Sequence, residues 1–96
     1  MTEPDYQALG RYTHLCELVA KAAGERGQLL TRAATVLQNA ARPLSAGEQA
    51  HARRCNFAAV ERLLAEARVV DERLQTAIAE ANELAPLANR PELRLG

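Results

Sequence analysis

Through the first half of the chain, three adjacent columns at seven-residue spacing stay apolar. They are Ala8, Leu15, Ala22, Leu29 and Val36; then Leu9, Cys16, Ala23, Leu30 and Leu37; then Tyr12, Val19, Ala33 and Ala40, with Arg26 breaking the last. Residues seven apart stand close to one line of an α-helix, so the columns form a single wide apolar stripe. His14, Glu17, Lys21, Gln28 and Thr35 fall on the opposite side. The pattern predicts a helix over about residues 4–41, opened by Thr2, Pro4 and Asp5 with the proline in its first turn.

The second half repeats the pattern. Val60, Ala67, Leu74 and Ala81 form a central column, flanked by Phe57, Leu64 and Ile78 on one side and by Leu63, Val70 and Leu84 on the other. Heptad spacing sustained over four repeats is the pattern of a coiled-coil seam and predicts a second helix over about residues 46–85. Between the two lies Arg42-Pro43-Leu44-Ser45-Ala46-Gly47-Glu48. Pro43 pushes Arg42 out of the helical basin, Ser45 can cap the next helix, and Glu48 stands where a capping box places its carboxylate. So short a connection makes the helices antiparallel. A turn at Pro43 sets residue i opposite residue 87 minus i. Pro86 is expected to close the helical domain of residues 1–85, leaving 86–96 as an extended C-terminal tail, free to fold back on the hairpin or to dock elsewhere.

Gly24 and Gly27 are the weak point of the first helix, because two interior glycines cost about 2 kcal/mol relative to alanine. A break there would give a three-helix bundle. The apolar columns keep their phase across the glycines, which favours one continuous helix, and small residues at this point could let a neighbouring backbone approach. The all-α expectation is therefore a long antiparallel helical hairpin. Each stripe is three columns wide, more than one partner helix covers, so two hairpins are expected to associate as a four-helix bundle, or one to dock on another helical protein.

Composition narrows the class. Twenty of the 96 residues are alanine, tryptophan is absent, and Phe57, Tyr6 and Tyr12 are the only aromatics, so thin helix-on-helix packing suits the chain better than a bulky core. The formal net charge is +0, which argues against a protein held mainly by nucleic-acid phosphates. Lys21 is the one lysine beside 11 arginines, a codon bias of GC-rich bacterial or phage genomes. No apolar run approaches the roughly 20 residues that cross a bilayer, and no signal peptide is evident, which places the expected location in the cytoplasm. Cys16 and Cys55 fall too far apart in the hairpin to be bridged.

Two charges interrupt apolar columns and mark candidate interaction residues. Arg26 faces Glu61 in the expected register. Asp71 faces Tyr12 and Cys16 with no cation, so its partner would come from water or a second chain. Phe57, Cys55 and Val69 join Arg26, Asp71 and Tyr12 as candidate protein-contact residues, Cys55 and Val69 because they make the far side of the second helix less polar than solvent requires. Basic residues crowd the start of that helix and acidic ones its end, against its own dipole, so Arg11 and the start of the first helix should lie beside the acidic end.

Candidate chemistry is sparse. No phosphate loop, nucleophile elbow or metalloprotease motif occurs. His51 and Cys55, four apart, would supply two ligands where zinc takes four. Arg53, Arg54, Arg62 and Arg68 are the candidate contacts of an alternative nucleic-acid-binding reading, weakened by interleaved acids and by the lack of an aromatic to stack. The expectation is a non-enzymatic helical interaction protein, an adaptor, assembly factor or chaperone-like subunit, with no cofactor and with a protein partner, itself or another.

Overall fold

The computed structural model describes residues 3–43 and 54–94. Among the described residues the fold is two helices, α1 (Tyr6–Ala41) and α2 (Phe57–Ala88), packed against each other as an antiparallel hairpin. α1 runs unbroken through Gly24 and Gly27, so the three-helix alternative does not form. Nothing approaches within 4 Å of where a Cβ on either glycine would stand, so these glycines do not admit a close neighbour. They sit on the outer surface.

The ends of α1 and α2 are built from local chemistry. Asp5 caps α1, its carboxylate accepting from the backbone N–H groups of Gln7 and Ala8, and Pro4 stands before the cap instead of inside the first turn. Asn56 caps α2 by accepting from the Ala59 N–H at 3.0 Å. Here the expected start at residue 46 is corrected: residues 54–56 are not helical and α2 opens at Phe57. The cap supplied by the Asn56 carboxamide is what opens α2 at this point. The Ser45–Glu48 capping box falls outside the described residues.

The far end of α2 is also corrected. Pro86 lies inside the helix, which continues to Ala88. A proline in the last turn forfeits only one rung of the backbone ladder. The stop is made by Asn89, whose left-handed backbone (φ 56, ψ 47) lets its own N–H reach the Pro86 carbonyl while the Arg90 N–H closes on Ala85 at 3.0 Å. Asparagine tolerates that conformation, the paired bonds satisfy carbonyls the helix end leaves open, and Pro91 prevents resumption. The Asp5 N–H donates to the Leu87 carbonyl at 2.9 Å, so the start of α1 caps the end of α2.

The seam runs down α2 at steps of three and four: Val60, Leu63, Ala67, Val70, Leu74, Ala77, Ala81, Ala85 and Ala88 are all buried. Near the paired ends Ala77, Ala81, Ala85 and Ala88 pack with Ala8, Tyr12 and Leu15, the alanines letting the helices close on one another until Ala81 is fully covered. α1 contributes less. Between Leu15 and Ala33 none of its residues is fully buried. The molecule measures 72 × 21 × 14 Å, so it is a single layer about one helix thick, with two broad faces.

Candidate functional site: two faces of a one-layer ribbon

The helices slide relative to the register expected from a turn at Pro43. Arg26 meets Asp71, not Glu61: its Nη1 donates to Asp71 Oδ1 at 2.5 Å, and Gln75 Nε2 donates to the other carboxylate oxygen at 2.6 Å. The two interrupting charges thus answer each other, and Asp71 has the cation it lacked in the expected pairing. Both side chains are about one-third exposed (32% and 31%), at the edge of the seam. Arg11 pairs with Glu80 at 2.8 Å, setting the start of α1 beside the acidic end of α2. The displacement goes with α1 ending at Ala41 and α2 opening only at Phe57, well past the expected residue 46.

Tyr12 has a different role from the one expected. It is buried, and its hydroxyl donates to the Pro91 carbonyl at 2.7 Å, far from Asp71. Burial raises its phenol above the ordinary value of 10.0, the adjoining Cys16 thiol raises it further, and the positive charge of Arg90 pulls the other way. The segment after α2 folds back over this site. Asn82 makes a two-point contact with the backbone of Leu93, Nδ2 donating to its carbonyl at 2.9 Å and Oδ1 accepting from its N–H at 2.7 Å. The Leu93 side chain packs on the cluster of Ala8, Tyr12, Leu15 and the α2 alanines. In place of the expected extended tail from residue 86, the chain completes the last turn of α2 and then lays a strap, residues 90–94, on the hairpin.

Helical phase fixes what else lies on the strap's side. Leu30 follows Tyr12, and Asn82 follows Leu64, by 18 residues in each case, which is five whole turns. Leu30 therefore stands on the line of Tyr12, and Leu64 on the line of Asn82, about 27 Å along the ribbon. No described residue covers them: Leu30 and Leu37 are 44% exposed, Leu64 is 46% and Phe57 is 65%. The Arg26–Asp71 pair lies between this patch and the strap.

The other face carries Val69. It is exposed and lines a shallow groove with Leu15, Leu18 and Ala22 beneath a charged rim that includes Arg11, Lys21, Glu72 and Glu80. Cys55 is half-buried ahead of α2 and outside any helix, so the shared helix face proposed for His51 and Cys55 does not exist at Cys55. His51 and Arg53 fall outside the described residues. Of the remaining arginines, Arg54 is exposed before α2, Arg62 lines a second groove with Arg32 and Glu66, and Arg68 lies six residues on from Arg62, about 120° around the helix. They do not converge. Both cysteines are free. Among the described residues no group of three His, Cys, Asp or Glu side chains could hold a metal, and no helix is long and apolar enough to cross a membrane.

Sequence reasoning placed Leu30, Leu37 and Leu64 in apolar columns without separating the covered members from the uncovered ones. Leu93 it placed only as an apolar point of the tail, and Asn82 it missed. The only signal for Asn82 was a polar residue one step from the central column at Ala81, and nothing local announces that an asparagine will grip a backbone eleven residues on. Compared with known proteins, the chain matches no family model, no curated protein and no solved structure.

Proposed function

We propose that this is a non-enzymatic interaction protein, an adaptor or assembly factor, that works by laying its apolar face on a second copy to form a four-helix bundle. The observation that carries the reading is the uncovered patch of Leu30, Leu37, Leu64 and Phe57 on a ribbon one helix thick. Fully burying a leucine is worth about 1.5–3 kcal/mol, so each leucine of the patch leaves about 1 kcal/mol unclaimed in the single chain. A second copy fits because a two-fold interface sets a surface against itself. The Arg26–Asp71 pair beside the patch is internally neutralised and the chain carries a net charge of +0, which limits repulsion between two copies.

Sedimentation equilibrium tests this. The expected mass is twice 10.4 kDa, falling to a single helical chain in Leu37→Glu and Leu64→Glu. A wild-type protein that stays at one chain into the high micromolar range would overturn self-association. If a different helical protein then co-purified and was lost in the same variants, the face would stand and its occupant would change. The dispersed arginines give the nucleic-acid reading no comparable support.

A further inference from the structure

The strap and the patch occupy two halves of one face. Pro91 and Leu93 lie over the line of Tyr12 and Asn82, and five turns further on the same two lines carry Leu30 and Leu64. The contacts that hold the strap are few and of a particular kind. Beyond the Arg90 N–H that closes the helix end, three hydrogen bonds hold its backbone, two of them shared with a single asparagine, and one apolar side chain, Leu93, packs below. Its hinge is the left-handed residue Asn89. Contacts to backbone groups hold an extended segment in place without adding much buried surface. Water can replace them at modest cost.

We propose that the strap of residues 90–94 is a latch that competes with the second copy for this face. This inference rests on the self-association reading above. With the latch closed, only the half carrying Leu30, Leu37, Leu64 and Phe57 is open to a partner. With it released, Tyr12 and the neighbouring Leu9 join that half and the docking surface extends along the hairpin. Apparent affinity is the intrinsic affinity reduced by the fraction of molecules in the competent state. A strap docked about nine-tenths of the time therefore weakens the full-length interface roughly tenfold.

The test uses the whole chain with Leu93→Ser, which removes the strap's apolar anchor and leaves the face intact. Arg94→Ser, exposed on the strap, is the control. Two quantities are measured: hydrogen-exchange protection of the amide at position 93, and the dimer dissociation constant by sedimentation. The expected result is protection at 93 in the wild type and the control, its loss in Leu93→Ser, and dimerisation roughly tenfold tighter in that variant alone. Protection lost with dimerisation unchanged or weaker overturns the latch while self-association stands. An amide at 93 that exchanges freely in the wild type overturns the latch at its first step. If wild type and variant are both single chains at every concentration, self-association fails and the latch fails with it.

Discussion

The pair Arg26–Asp71 permits a double-mutant cycle whose size follows from its setting. Arg26→Ala removes the guanidinium from one carboxylate oxygen and leaves Gln75 on the other; Asp71→Ala removes the acceptor from both donors. Exposed ion pairs couple by about 0.2–1 kcal/mol, whereas breaking a buried one costs about 3–5. With about a third of each side chain still reached by water, this pair should behave more like the first class. We expect each single substitution to cost about 1–2 kcal/mol and the coupling between them to be about 1 kcal/mol. The assay is urea unfolding followed by helical circular dichroism at one fixed protein concentration, since association would otherwise contribute to the apparent stability. Repeating the cycle in about 1 M salt, where the screening length falls to about 3 Å, should roughly halve the coupling. A coupling below about 0.3 kcal/mol, or one indifferent to salt, would refute the claim that these side chains meet across the seam. Replacing both at once, Arg26→Met with Asp71→Leu, should leave stability equal or raised, because a well-packed apolar pair avoids the cost of desolvating two charges.

Other expectations follow from the same geometry. Gly24→Ala and Gly27→Ala should each raise stability by about 0.5–1 kcal/mol in urea unfolding, since both positions are helical and open to a Cβ. Leu74→Ala, at a side chain almost wholly buried in the seam, should cost about 2–4 kcal/mol. Leu30→Ala should cost under about 1 kcal/mol in the single chain and instead weaken dimerisation. Alkaline pH should act through Tyr12. Below its ordinary value of 10.0 the phenol is neutral in both states and its contribution to stability is complete. As the pH rises past that value the unfolded chain ionises first while the folded one, with its pKa raised by burial, holds its proton, so stability falls. Unfolding midpoints measured from about pH 9 to about pH 11 should show this decline, and Tyr12→Phe should flatten it at a cost of about 0.5–1.5 kcal/mol for the lost bond to Pro91.

The sequence by itself determined the two helices and the line each residue occupies on them. Periodicity is local: 100° of turn per residue fixes azimuth wherever the helix forms, so Val60, Ala67, Leu74 and Ala81 could be assigned to the seam, and all four are buried there. The charge asymmetry of α2 likewise placed Arg11 beside the acidic end, where it meets Glu80. Only the tertiary structure decided how far one helix slides along the other. A seam of alanine, leucine and valine looks nearly the same after each heptad, so sequence pattern cannot select among offsets. The length of the reversal and the pairing of Arg26 with Asp71, ten residues from the expected Glu61, settle it. The strap belongs to the same category. Proline at 86 carries a strong local signal to stop, yet the chain gains more by continuing to a left-handed Asn89 that aims Pro91 at Tyr12 and Leu93 at Asn82. Those partners are distant in sequence, and no property of a local window records them.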